Sequence, residues 1–329
     1  MDIIKSSFDK RQSVQKNYDL IAEQYSNEFG TYIEDLDVYE EFEQHLVENA
    51  KILDLGAGSG RTYSYFNKQN YVYIGLDFSK KMKDCAYNLH GKFPYIVDDI
   101  FSGRVAAAGD RVWILADGKL KEYQYANDAV TFVKDISIGD GYSEITADET
   151  GNLYVSSKLS NNAFLRIKDG NIEELAKDIG PVKMQRSGNV GISALFDIKK
   201  IVVADGTATA QDWMPQEHDI ISTALISENY AYIGGRSEEL DAYILKAYDM
   251  EGNHLLTFGE KGKDGDDWLA YVSQIMEIPE GFFGIDANMR DLYIWGPDAS
   301  VLGSVEAPDL FGALLVVGVM GHIAIQVVL

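Results

Sequence analysis

The sequence predicts a multidomain chain in which an α/β segment with a parallel sheet is followed by an all-β segment. Up to about residue 103, apolar residues recur at helical spacing between short apolar runs. Beyond it, short β-forming runs alternate with polar turns. A glycine-rich turn joins the first strand to a helix. The length of 329 residues suggests about two domains, which we place at 1–103 and 104–329.

Helix and strand alternate in the first segment. The predicted helices are 13–29, 39–50, 61–68 and 79–89, and the predicted strands are 51–55, 71–76 and 95–97. Tyr18, Ala22 and Tyr25 lie on one apolar stripe of the first helix. Because strands separated by helices imply right-handed crossovers, we expect a parallel sheet.

The second segment repeats short strands and similar turns. Such turns occur at 127–128, 168–171, 249–253 and 296–298, and their spacings are multiples of about 40–45 residues, the length of a four-stranded propeller blade. The repeat predicts an incomplete six-bladed β-propeller, with five blades at 104–137, 142–178, 182–217, 219–258 and 270–306 and a partial sixth at 313–329. An all-β sandwich is the alternative.

Composition narrows the classes of function. The formal net charge of −23 disfavours nucleic acid and anionic membranes as partners. Cys85 is the single cysteine, so an internal disulfide and a cysteine–histidine zinc site are excluded, and a buried, inert thiol is expected. The amino terminus is not a secretory signal, which predicts a cytoplasmic protein. The apolar residues 313–329 are a pair of buried strands in preference to a membrane span.

The glycine-rich turn is the most specific motif. Asp54-Leu55-Gly56-Ala57-Gly58-Ser59-Gly60 follows a strand and begins a helix, so its backbone can approach a ligand closely. A dinucleotide fingerprint requires a small residue at position 61, where this chain has Arg61. A βαβ glycine turn without a ligand is the alternative.

Two further acidic positions follow the next strands. Asp77 ends the second strand, where a carboxylate can accept hydrogen bonds from ribose hydroxyls. Asp98-Asp99-Ile100 follows the third, where a carboxylate beside an apolar side chain suits an adenine. All three positions lie at carboxyl ends of strands, where open α/β sheets bind ligands.

Together these residues resemble motifs I to III of class I S-adenosylmethionine-dependent methyltransferases, over about residues 13–102. The resemblance implies a partial Rossmann-like sheet and S-adenosylmethionine as cofactor, with Asp54 and the glycines at its methionine part, Asp77 at its ribose and Asp99 with Ile100 at its adenine. Asp98 competes with Asp99 for that role, and Tyr25 is either a lid or a core aromatic. The implied cofactor contacts are Asp54, Gly56, Ala57, Gly58, Gly60, Asp77, Phe78, Asp98, Asp99, Ile100 and Tyr25.

The resemblance leaves parts of the family pattern missing. Residues 106–115 could form a fourth strand, but further strands follow in place of a helix. The sheet is therefore either completed by another element or truncated. Segment 104–329 resembles six-bladed propellers of the NHL-like and TolB-like group. No catalytic residue is assigned and no metal site is predicted, since Asp264, Asp266 and Asp267 form a solvated acidic loop in preference to a calcium site.

Three hypotheses about function follow. The first is S-adenosylmethionine binding, with methyl transfer to a small-molecule substrate. The second is a propeller module that binds a ligand or an unknown protein partner, next to a non-catalytic methyltransferase remnant. The third is an artificial fusion without a single native function, because the pattern changes abruptly near residue 103.

Overall fold

The computed structural model describes residues 2–31, 39–40, 43–44, 46, 48–67, 71–98, 104–116, 118–157, 163–194, 197–214, 220–239, 241–259, 272–278, 281–286, 291–295, 301–306, 313–314 and 323–328. Side chains are described within these ranges from residue 15 to residue 259, and for Ile275.

Helices and parallel strands alternate in the amino-terminal part. The helices are α1 (Asp2–Phe29), α2 (Arg61–Phe66) and α3 (Lys80–His90), and the strands are β1 (Lys51–Leu55), β2 (Val72–Asp77) and β3 (Tyr95–Val97). β2 pairs in parallel with both β1 and β3. The three strands lie where the sequence predicts them.

Five four-stranded antiparallel sheets follow along the chain. The first contains β4 (Arg104–Ala108), β5 (Arg111–Ala116), β6 (Lys119–Ala126) and β7 (Ala129–Ile136). The second contains β8 (Glu144–Ala147), β9 (Leu153–Ser156), β10 (Ala163–Lys168) and β11 (Asn171–Lys177). The third contains β12 (Lys183–Met184), β13 (Val190–Ala194), β14 (Ile198–Ala204) and β15 (Thr207–Asp212).

The fourth sheet contains β16 (Ile220–Ile226), β17 (Tyr230–Ser237), β18 (Ala242–Asp249) and β19 (His254–Phe258). The fifth contains β20 (Val272–Ile278), β21 (Gly281–Asp286), β22 (Asp291–Trp295) and β23 (Val301–Glu306). In each sheet the strands are ordered as in the chain. The first strands of successive sheets contact one another, β4 with β8, β8 with β12, β12 with β16 and β16 with β20.

The last two described strands join the parallel sheet. β25 (Ile323–Val328) pairs in parallel with β1, with Leu53 opposite Ile325. β24 (Ala313–Leu314) pairs antiparallel with β25. The predicted partial sixth blade at 313–329 is therefore wrong, because β25 pairs with β1 at the edge of the parallel sheet and β24 pairs with β25. In the described part of the chain, no helix is both long and apolar enough to cross a membrane.

The predicted fold class, a partial Rossmann-like methyltransferase sheet followed by an incomplete six-bladed β-propeller, is wrong. The structure is mostly β, with several small antiparallel sheets. The amino-terminal part supplies only three parallel strands, because β4 and β5 form a hairpin in which Ala107 lies opposite Val112. Residues 106–115 therefore supply no fourth parallel strand. The antiparallel sheets have only a weak propeller-like resemblance. The division of the chain at residue 103 stays a prediction.

One apolar core joins the parallel sheet to the first antiparallel sheet. Leu53, Leu76 and Ile96 from the parallel strands pack with Val112 and Ile114 from β5. Each of these side chains is buried. Burial of such apolar surface is the main stabilising contribution, at about 25 cal/mol per Å².

Ala324→Pro tests the pairing between β25 and β1. Proline cannot donate a ladder hydrogen bond and is poorly tolerated inside a sheet, so we expect the amides of 51–55 to exchange hydrogen faster by about tenfold or more. Hydrogen exchange followed by mass spectrometry measures this. Ala324→Val, which keeps the backbone N–H, is the control, and unchanged exchange in the proline variant would contradict the pairing.

Candidate functional site

The glycine-rich turn adopts a conformation that glycine accommodates. Gly56, Gly58 and Gly60 have φ values of 85°, 50° and 79°, in the left-handed region that side chains with a Cβ rarely adopt. A Cβ on Gly60 would lie 3.0 Å from the His90 ring and 3.2 Å from the Phe93 ring. The turn is therefore closely packed against the end of α3 and the residues that follow it.

The turn is tied to β2 by backbone hydrogen bonds. The N–H groups of Gly56 and Ala57 donate to the Leu76 carbonyl, at 2.7 and 3.1 Å. The Gly60 N–H donates to the Ala57 carbonyl at 2.8 Å. These three N–H groups are thus already paired within the protein.

Asp77 braces the turn. Its Oδ2 accepts a hydrogen bond from the Gly58 N–H at 3.0 Å, and its Oδ1 accepts one from the Ser79 N–H at 2.7 Å. The Tyr95 hydroxyl donates to the Gly58 carbonyl at 2.8 Å. Burial raises the pKa of Asp77 to about 6, although the N–H groups of Ser79 and Gly58 oppose the increase. Asp77 therefore holds the turn and the start of α3 together.

Asp54 is fully buried, with an exposed fraction of 0%. Its Oδ2 accepts a hydrogen bond from the Tyr73 hydroxyl, whereas its Oδ1 has no hydrogen-bond partner among the described residues. The buried hydroxyl of Ser59, in the turn itself, also lacks a partner there. Burial raises the pKa of Asp54 to about 7, while hydrogen bonds from the side chains of Tyr73 and Thr62 oppose the increase. Unpaired buried polar atoms are costly, so these two need an explanation.

Helix α1 covers the chain that leaves β2. The Gln15 side-chain amide donates to the Phe78 carbonyl at 2.8 Å, and the Tyr18 ring meets the Phe78 ring edge-on with centroids 5.5 Å apart. The Ser79 hydroxyl donates to Asp19 at 2.6 Å. Phe78, a predicted cofactor contact, therefore makes its contacts with α1.

Tyr25 packs beside a small apolar cluster of Ala22, Met82 and Cys85. Its ring centroid is 5.3 Å from that of Phe29. Of the two predicted roles, these contacts favour the core aromatic over the lid. Cys85 is a buried free thiol.

Asp98 contacts the first antiparallel sheet. The Lys121 ammonium donates to both of its carboxylate oxygens, at 2.6 and 2.8 Å. The Tyr123 hydroxyl donates to Oδ2 at 2.6 Å, and burial raises the pKa of Tyr123. Asp99 and Ile100, the other predicted adenine contacts, lie outside the described residues.

Sequence reasoning missed the partners of these acids. Tyr73, Tyr95, Lys121 and Tyr123 were not singled out, although each binds a predicted site residue. Tyr73 lies in β2, next to β1, and cross-strand neighbours could have suggested it. Lys121 and Tyr123 lie in a different sheet from Asp98, so local pattern carried no signal for them.

The residues expected to hold S-adenosylmethionine differ in how far the protein already pairs them. Oδ1 of Asp54 and the Ser59 hydroxyl have no hydrogen-bond partner among the described residues, and both side chains are buried. The acids expected at the adenosine part are engaged within the protein, because Asp77 accepts two backbone N–H groups and Asp98 is bound by Lys121 and Tyr123. A small, open recess lies at the other end of β1, beside Lys51 and Asp110.

Among the described residues, no group of three or more histidine, cysteine or acidic side chains is placed to hold a metal ion. The acidic residues Asp264, Asp266 and Asp267 lie outside that part of the chain.

Comparison with known proteins identified no family. No family model matches the chain, and no curated protein matches it. A protein of unknown function from Bacteroides caccae is 10% identical, with a TM-score of 0.46, over 71% of this chain and 89% of its own. A functionally unknown protein from Desulfotomaculum acetoxidans is 14% identical, with a TM-score of 0.43, over 60% and 68%. The mitotic checkpoint complex contains a chain 12% identical, with a TM-score of 0.44, over 64% and 67%.

These findings overturn the resemblance to class I S-adenosylmethionine-dependent methyltransferases joined to a six-bladed NHL-like or TolB-like propeller. Neither comparison of sequences supports a methyltransferase, and the mostly β structure conflicts with a Rossmann-like classification. The structure does contain the glycine turn, with Asp54 and Asp77 beside it. A strand–turn–helix unit can use these residues to hold its turn in place without binding a cofactor.

Asp77→Asn tests the bracing role. Asparagine has one side-chain oxygen, so either the Gly58 N–H or the Ser79 N–H would face the amide NH₂ group and lose its acceptor. We therefore expect the free energy of unfolding to fall by about 1–3 kcal/mol. Urea denaturation measures the change. Asp84→Asn, at an exposed position of α3, is the matched control, and equal effects of the two substitutions would contradict the bracing role.

The pKa of Asp54 predicts how stability depends on pH. Its ordinary value is 3.8 and its folded value is about 7, so the folded state binds more protons than the unfolded state between these values. The free energy of unfolding therefore decreases as pH rises from about 4 to about 7. Asp54→Asn removes this pH-dependent contribution. The free energy of unfolding of the variant, relative to that of the native chain, should therefore increase as pH rises from about 4 to about 7. Urea denaturation at pH 5 and pH 8 measures it, and parallel pH profiles for the two proteins would refute it.

Proposed function

We propose that the glycine turn and Asp54 bind a small ligand that carries an α-amino-acid group. The observation that carries this proposal is the fully buried Oδ1 of Asp54, which has no hydrogen-bond partner among the described residues. S-adenosylmethionine, the cofactor expected from the sequence, is one ligand with such a group.

The chemistry of two side chains supports an amino-acid group. An ammonium has three N–H donors and suits a carboxylate that still has an oxygen to offer. The Ser59 hydroxyl, which lacks a partner among the described residues, can donate to the ligand carboxylate. A ligand ammonium would stabilise the charged form of Asp54, which burial disfavours.

The other predictions about function stay predictions: a methyl acceptor, a protein partner of the antiparallel sheets, the exclusion of nucleic acid and membranes, and the artificial fusion. An ordered water is the alternative partner for Asp54 Oδ1, since buried waters commonly satisfy such groups.

Calorimetric titration of the full chain with three ligands tests the proposal. S-adenosylmethionine and L-methionine carry the amino-acid group, and 5′-methylthioadenosine lacks it. We expect the first two to bind and the third to bind at least about tenfold more weakly, a difference of about 1.4 kcal/mol. At pH 7, binding should release protons from Asp54, so the measured enthalpy should depend on the ionisation enthalpy of the buffer.

Asp54→Asn should lower the affinity for both amino-acid ligands by about tenfold or more and abolish the proton release. Asp84→Asn should change neither the affinity nor the proton release. Three results would refute the proposal: no binding of either amino-acid ligand, equal binding of 5′-methylthioadenosine, or unchanged affinity in Asp54→Asn. Unfolding midpoints of both variants show whether they remain folded.

A further inference from the structure

Buried polar side-chain atoms without a hydrogen-bond partner are few among the described residues, and most of them lie at the glycine turn. There are four such atoms in that part of the chain: Asp54 Oδ1, Ser59 Oγ, His90 Nε2 and Arg186 Nε. Arg186 lies between β12 and β13, in the third antiparallel sheet, whereas the other three belong to the turn or pack against it. Because each such atom is costly, three of them around one turn favour a common partner.

His90 packs directly against the turn. It is the last residue of α3, and a Cβ on Gly60 would lie 3.0 Å from His90 Cδ2, the ring carbon that is bonded to Nε2. Gly60 follows Ser59 in the turn. The Tyr63 ring, in α2, meets the His90 ring edge-on with centroids 5.9 Å apart. These contacts hold the imidazole beside the part of the turn that carries the Ser59 hydroxyl.

The chemistry of His90 complements that of Asp54. The Asp54 carboxylate suits a cationic group, whereas an imidazole that carries its proton on Nε2 offers an N–H donor and suits an anionic group. Burial lowers the pKa of His90, and the nearby backbone of Gly30 and Ser59 opposes the decrease. Neither backbone segment forms a hydrogen bond with Nε2, which has no partner among the described residues. The ring nitrogen is therefore available to an acceptor from outside the described residues.

We infer that His90 donates its Nε2–H to the α-carboxylate of the ligand, beside the Ser59 hydroxyl. This inference rests on the proposed function, in which Asp54 binds the ligand ammonium. In an α-amino acid the ammonium and the carboxylate are bonded to one carbon atom, so their partners must lie close together, as residues of one turn and its packed neighbour do. Hydrogen bonds to a charged carboxylate are among the stronger ones. The site therefore selects free α-amino acids, and molecules that end in one, over amines that lack the carboxylate.

Calorimetric titration of the full chain with L-methionine and with 3-(methylthio)propylamine tests the inference. The amine keeps the thioether chain and the ammonium of L-methionine but lacks its carboxylate. We expect the native chain to bind the amine at least about tenfold more weakly. The amide of His90→Asn lies near the position of Nδ1 and leaves that of Nε2 without a donor. This variant should therefore lower the affinity for L-methionine by about tenfold and leave that for the amine unchanged.

His90→Gln is the matched variant, because its longer side chain brings an amide N–H to the position of Nε2. It should retain the preference for L-methionine over the amine. His254→Asn, at an exposed position of β19, should change neither affinity. Three results would overturn the inference: native affinity for L-methionine in His90→Asn, equal losses for both ligands in that variant, which indicate a merely structural role, or a native chain that binds the amine as tightly as L-methionine.

Asp54→Asn separates this inference from the proposed function. If Asp54→Asn weakens the binding of L-methionine and His90→Asn does not, the role of His90 fails and the proposed function stands. If the native chain binds neither ligand, both fail. If His90→Asn does not fold, as judged by its circular dichroism, NMR of the native chain decides the question, with His90→Gln assigning the signals. L-methionine should then shift the ring nitrogen resonances of His90, and unshifted resonances at saturation would overturn the inference.

Discussion

Apolar packing between the parallel strands and the first antiparallel hairpin is the contact on which the amino-terminal half of the structure depends. Leu53, Leu76 and Ile96 bury their side chains against Val112 and Ile114, and the buried Asp98 carboxylate pairs with the partly exposed Lys121 ammonium across the same junction. A parallel sheet has two faces to cover. Here the hairpin that follows the sheet in the chain covers one of them.

The contacts of Asp98 and Asp77 give these two acids structural roles. Asp98 neutralises Lys121 and accepts a hydrogen bond from Tyr123, while Asp77 accepts two backbone N–H groups. Both carboxylates hold parts of the fold together. Asp54 is different, because half of its carboxylate is paired with Tyr73 and the other half faces no partner in the described residues. Of the three acids expected to bind a ligand that the structure describes, Asp54, Asp77 and Asp98, Asp54 is therefore the one with a carboxylate oxygen that has no partner among the described residues.

Local pattern predicted the local elements well. β1, β2 and β3 lie at the predicted positions because each is a short apolar run bounded by turn residues. The antiparallel sheets begin and end close to the predicted repeat boundaries, since each repeat carries its own turns. The left-handed glycines of the turn were likewise implied by their identity. In all these cases the deciding interactions lie within a few residues along the chain.

The sequence by itself determined a glycine turn between a strand and a helix, a series of short strands, and the single buried thiol of Cys85. Only the tertiary structure decided that β25 completes the edge of β1, that residues 106–115 form a hairpin, and that Asp98 pairs with Lys121. These outcomes depend on contacts between residues far apart in the chain, which neither periodicity nor motif spacing encodes.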